Sequence, residues 1–169
     1  MNLILFGFKN CGKTYFGKLI AEELKLSYID TDALIENLNE MPCSRLYKMV
    51  GAEPFRQMER EAIHSLQSVS HSVISLGGGA VLDEKNVSFL QKIGRLVYLK
   101  VDKEILKQRM LRQSELPAYI DPQARETSFE IMYTERLPIY EGIQATKLDL
   151  TGKSNEKVLK ELKEIYYGK

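Results

Sequence analysis

The residues best placed to do chemistry stand at 7–14, Gly-Phe-Lys-Asn-Cys-Gly-Lys-Thr, a complete G-x-x-x-x-G-K-[ST] run. Its two glycines let the backbone curl so that successive N–H groups face a phosphate chain. A helix opening near Lys13 adds the positive end of its dipole. Lys13 can reach the β- and γ-phosphates, and Thr14 offers a hydroxyl to Mg²⁺. The context suits the motif. Leu3-Ile4-Leu5-Phe6 reads as a buried strand, and Phe16, Leu19, Ile20 and Leu24 keep the spacing of an amphipathic helix. The run predicts a nucleoside triphosphate site built on Gly7, Asn10, Cys11, Gly12, Lys13, Thr14 and Tyr15, with Cys11 as backbone scaffolding and not as a nucleophile.

Three further constellations carry chemical residue types. Asp30-Thr31-Asp32 follows a short strand and precedes a helix. Locally it reads as a helix cap. Beside a phosphate loop, Asp30 can instead hold Mg²⁺ through water, and Asp32 can orient an acceptor hydroxyl and take its proton. Gly77-Gly78-Gly79 ends another strand. It is either a flexible turn or a place where the backbone must approach a ligand closely. Arg56 and Glu59 lie three residues apart on one helix, the spacing of an ordinary surface ion pair. Arg136 can equally be a solvated charge. Two arginines facing one cleft would bind a carboxylate, because the guanidinium fork matches it.

The elements that must position these residues alternate. Strands are expected at Leu3–Phe6, Ser27–Ile29, Val73–Leu76, Leu96–Lys100 and Lys147–Leu150, with helices near 13–25, 32–39, 53–68, 84–93, 102–112, 125–141 and 154–167. This predicts an α/β fold with a mostly parallel sheet covered on both faces. Ligands of such sheets collect at the strands' carboxyl ends, so the loops after Phe6, Ile29 and Leu76 should form the site. The polar, proline-bearing stretch 113–124 is the candidate lid. At 169 residues the chain reads as one domain, and a net charge of +1 without a basic block argues against nucleic acid and membrane surfaces. Two cysteines make no disulfide framework. The apolar start is too short for a signal peptide, and no run approaches the ~20 apolar residues of a membrane span, which predicts a cytoplasmic protein.

In order along the chain, the phosphate loop, Asp30-Thr31-Asp32, Phe55-Arg56-Gln57-Met58-Glu59, Gly77-Gly78-Gly79-Ala80-Val81 and Arg136-Leu137-Pro138-Ile139-Tyr140 resemble the shikimate kinases, P-loop kinases related to nucleoside monophosphate kinases. The resemblance implies a three-layer P-loop kinase fold with a central five-stranded parallel sheet, a mobile lid over 113–124 and a substrate-side helical segment over 32–60. It implies transfer of the γ-phosphoryl group of ATP to the 3-hydroxyl of shikimate with Mg²⁺, by a monomer. It gives Lys13 and the loop amides the phosphates, and Thr14 and Asp30 the metal. It makes Asp32 the base, Arg56 and Arg136 the carboxylate clamp and Glu59 the partner of Arg56. Gly77, Gly78 and Gly79 line the acceptor ring, and Lys153 falls on the adenine side. The family's lid usually reads Arg-Pro-Leu-Leu, and here the aligned stretch is Leu116-Pro117-Ala118-Tyr119. Arg112, with Arg109 as the other choice, is expected to supply the missing charge. Gln144 departs from the family's usual alanine. Two alternatives stay open: a kinase of another small polyhydroxy acid such as gluconate, and a non-catalytic nucleotide-binding module.

Overall fold

Each short apolar run becomes a strand. In the computed structural model, which describes residues 1–114 and 116–168, β1 (Asn2–Phe6), β2 (Ser27–Asp30), β3 (Ser72–Ser75), β4 (Gly94–Lys100) and β5 (Thr146–Asp149) pair in parallel, in spatial order β2-β3-β1-β4-β5. The central strand β1 is buried at every position, which is why it reads as a continuous apolar run and not as an alternating one. Its register sets Ile4 opposite Ile74 on one side and Leu96 on the other. The edge strands β2 and β5 are mostly more exposed, as strands paired on one side only must be.

Among the described residues there are eight helices: α1 (Lys13–Leu24), α2 (Thr31–Asn39), α3 (Cys43–Val50), α4 (Ala52–His64), α5 (Glu84–Ile93), α6 (Lys103–Leu111), α7 (Arg125–Gly142) and α8 (Asn155–Tyr167). Helix α3 was not among the elements expected from periodicity. It is a short amphipathic segment between Pro42, which precedes its first turn, and Gly51, whose φ of 85° breaks the chain before α4. Its Leu46 packs with Ile35, Phe55 and Ala62 into a small second core beside the main one. The helix expected over 53–68 ends at His64 and continues as a 3₁₀ turn, Ser65–Ser68. Among the described residues of 113–124 there is neither helix nor strand.

Two contacts fix the site end of the sheet. A Cβ on Gly17 would lie 2.7 Å from both the Ser75 hydroxyl and the Tyr28 ring, so only glycine lets α1 close on β2 and β3. The Ser75 hydroxyl then donates to the Lys13 carbonyl at 3.1 Å, pinning the first turn of α1 to the end of β3. Because β1, β2 and β3 run in parallel, the loops that leave them emerge side by side.

Candidate active site

Those loops enclose a cavity of about 550 Å³. Its floor is the phosphate loop. Phe8 is buried and stacks on Tyr133 at 4.8 Å, which anchors the loop to α7. Gly12 sits at φ 108°, a conformation that leaves the chain free to turn into α1. The Lys13 ammonium donates to the carbonyls of Gly7 at 3.0 Å and Phe8 at 2.9 Å, within the curl of the loop. Asn10, Gly12, Lys13, Thr14 and Tyr15 line the cavity, whereas Gly7 and the buried Cys11 lie beneath it.

The acidic pair divides as two separate tasks would require. One Asp30 oxygen accepts from the backbone N–H groups of Asp32 at 3.1 Å and Ala33 at 3.4 Å, capping α2. The other accepts from the Thr14 hydroxyl and from Tyr28, both at 3.1 Å. Asp30 therefore caps α2 and faces the phosphate loop at once. Asp32 forms the cavity wall. Burial and then the neighbouring Asp30 charge push its carboxyl up to about 6, against the pull of Lys13. Thr31, between them, accepts from the Gly77 N–H at 2.9 Å and ties the acidic turn to the glycine turn.

Two of the three glycines also have a steric reason inside the fold. A Cβ on Gly77 would overlap the Asp32 carboxylate, and a Cβ on Gly79 would overlap the Arg56 guanidinium. Neither has a positive φ, so the requirement is space for two functional side chains. Gly78 and Gly79 line the cavity and Gly77 stands behind Asp32. The Tyr140 hydroxyl donates to the Gly78 carbonyl, so α7 holds this turn in place.

Arg56 and Glu59 are bonded to each other, and Glu59 is 4% exposed, so this is no surface pair. Burial pushes the Glu59 carboxyl up, while Arg56 and then Arg136 pull it down. Arg136 lies over the Tyr119 ring, 4.4 Å from its centre. Arg56, Arg136 and Asp32 all line the one cavity. Sequence spacing left that convergence open.

Two of the cationic residues named from the sequence do not line the cavity. Arg112 is exposed at the C-terminal end of α6 and does not line the cavity, whereas Arg109 does. Arg109, in the last turn of α6, and Gln113, just beyond the helix end, both reach the cavity. Arg109 donates to the Asn10 carbonyl at 3.2 Å, and Gln113 to the Asn10 side chain at 3.0 Å. Lys153 pairs with Glu161 at 2.5 Å and also lies outside the cavity. Sequence reasoning missed Lys9, Cys43, Ser44, Phe55 and the lid residues Pro117, Ala118 and Tyr119 as lining groups. Cys43 and Ser44 were out of reach because α3 was. The Cys43 thiol donates to the Asp32 carbonyl at 3.6 Å, and burial pushes the thiol well above its usual range, which favours the protonated form. Residue 115 of the candidate lid lies outside the described residues.

A family model described as shikimate kinase matches residues 9–166. A shikimate kinase from Alkaliphilus oremlandii is 35% identical over 163 residues, covering 95% of this chain and 96% of that one. The crystal structure of shikimate kinase from Bacteroides thetaiotaomicron superposes with a TM-score of 0.85 at 25% identity, over 98% of this chain and 97% of that one. The shikimate kinase from Acinetobacter baumannii, solved in complex with shikimate, shares the fold with a TM-score of 0.89 at 24% identity, over 99% and 93% of the two chains.

Proposed function

The chain belongs to the shikimate kinase family, and from that premise we propose that its cleft moves the γ-phosphoryl group of ATP onto the 3-hydroxyl of shikimate. The observation that carries this reading is the sharing of one cavity by a phosphate loop, two aspartates and two arginines. Lys13 and the loop amides hold the phosphates. Arg56, kept in place by Glu59, and Arg136 grip the acceptor carboxylate. Asp32 takes the proton of the acceptor hydroxyl as that oxygen attacks the γ-phosphorus and the bond to the ADP oxygen breaks. Product, ADP and one enzyme-held proton balance the step.

The residues present suit Mg²⁺. Among the described residues no group of three or more acidic, His or Cys side chains is close enough to cage a metal. Mg²⁺ asks for less, one or two protein oxygens beside substrate phosphates and water. Thr14 and Asp30, hydrogen-bonded at the mouth of the phosphate loop, would hold it, and once bound it neutralises phosphate charge. Pro117, Ala118 and Tyr119 cover the acceptor side, so movement of 113–124 would admit substrate and then exclude water. The same reading makes the protein a cytoplasmic monomer working on ATP and shikimate without nucleic acid or membrane. The even charge balance supports it.

A coupled ADP-release assay tests the function. Shikimate should drive ADP release and gluconate should not; shikimate inert at millimolar concentration would overturn the assignment. Arg136→Ala tests the clamp. Loss of a charge-assisted contact to a carboxylate should raise the shikimate KM about 10–100-fold and leave the ATP KM nearly unchanged. Equal rises in both would remove Arg136 from the acceptor site.

A further inference from the structure

The cations lining the cavity are Lys9, Lys13, Arg56, Arg109 and Arg136. Four are engaged. Lys13 holds loop carbonyls, Arg56 holds Glu59, Arg109 holds the Asn10 carbonyl and Arg136 lies on Tyr119. Among the described residues Lys9 alone of the five has no hydrogen-bond, ion-pair or aromatic partner. Its place is also particular. Its backbone nitrogen and Cβ stand 3.7 and 3.9 Å from where a Cβ on Gly78 would be, at the seam between the phosphate loop and the acceptor turn. Its charge reaches Asp32, whose carboxyl it helps to hold down. Phe8, immediately before it, is locked into the aromatic core, so the backbone that presents Lys9 is fixed.

Phosphoryl transfer spreads charge over the equatorial oxygens of the moving group, and catalysis comes from cations already aimed at them. Lys13 serves the loop side. The lid residues that reach the cavity are Pro117, Ala118 and Tyr119, none of them cationic, and Leu116 packs against the apolar core. We infer that Lys9 is a second catalytic cation of this site, with its ammonium placed at the seam to stabilise the phosphoryl group as it passes from ATP to the acceptor. This rests on the kinase reading above and names a residue that reading does not use.

Lys9→Met keeps the length of the side chain and removes the charge. It should lower kcat about 10²-fold. The shikimate KM and the affinity for a nonhydrolysable ATP analogue should each change less than about tenfold, because the contact forms in the transition state. Lys9→Arg should retain most of the wild-type kcat. The melting temperature of both variants should stay close to wild type, since no hydrogen bond or ion pair within the described residues is lost and Lys9→Met removes only a longer-range attraction to Asp32. A kcat within threefold of wild type in Lys9→Met overturns the inference. So does a loss confined to analogue affinity, or an Arg variant as slow as the Met variant. Wild-type turnover of shikimate in the same assay separates the claims. An active wild type beside an equally active Met variant removes Lys9 alone, and a wild type inert toward shikimate removes the kinase reading and the inference together.

Discussion

Asp32→Asn is expected to lower kcat about 10²–10⁴-fold, the range lost with a positioned general base, while ATP analogue affinity stays near wild type. Asn keeps the shape and loses the ability to take a proton. The pH profile gives a second readout. With its carboxyl pushed up to about 6, Asp32 is a base only above that pH, so wild-type kcat/KM should rise through pH 6 and level off. The residual activity of Asp32→Asn should lack this limb. Stability should move the other way. A carboxyl whose folded value lies above the ordinary 3.8 binds its proton more tightly in the folded state. Its contribution to stability is therefore full below about pH 4 and is lost as pH rises through 6. At neutral pH the folded protein carries this anion at a cost, and Asn removes the cost. The variant should melt above wild type at pH 7.5, with a smaller difference at pH 5. Near-normal kcat would exclude Asp32 as base; a lower melting temperature would show that its carboxylate is structural.

Much of the frame was legible because its signals are local. Leu3–Phe6 and Leu96–Leu99 are runs buried on both faces, and burial on both faces leaves an apolar run that needs no partner to be recognised. The phosphate loop carries its own geometry in its glycines. Helix α3 was not legible. Its apolar and polar faces are distinct, but two turns are too short to hold a helix by themselves, and its stability comes from Leu46 meeting Phe55 and Ile35 in the second core.

The site residues divide the same way. Asp30, Asp32, Arg56, Glu59 and Arg136 were nameable from motifs, and all five line the cavity. Their reasons were not. A side chain at Gly77 or Gly79 would displace Asp32 or Arg56, which are remote in sequence, and no local pattern holds that information. Arg109 and Arg112 are a turn apart at a helix end, and the contact with Asn10 distinguishes them only once the helix is docked. Lys9 occupies a position the motif leaves free, so its charge drew no attention until the fold set it beside Gly78.

Lys13→Ala is expected to lower kcat by about 10³-fold or more, a larger loss than removal of any other single cation in the cleft. Its ammonium is the one held inside the loop, between the Gly7 and Phe8 carbonyls, where the β- and γ-phosphates must lie. Unlike Asp32→Asn, this change should also weaken the ATP analogue, since the contact exists before transfer begins. Calorimetric titration with the analogue separates that part from the part felt only in kcat. The two residues are also coupled. Lys13 is the first of the charges that hold the Asp32 carboxyl down, so its removal should move the acid limb of any residual kcat/KM to higher pH. A mere loss of nucleotide affinity has no such consequence. If saturating ATP restored wild-type kcat to Lys13→Ala and the limb stayed near pH 6, Lys13 would be a tether for the nucleotide, and the charge stabilisation of the transfer would have to come from the seam where Lys9 stands.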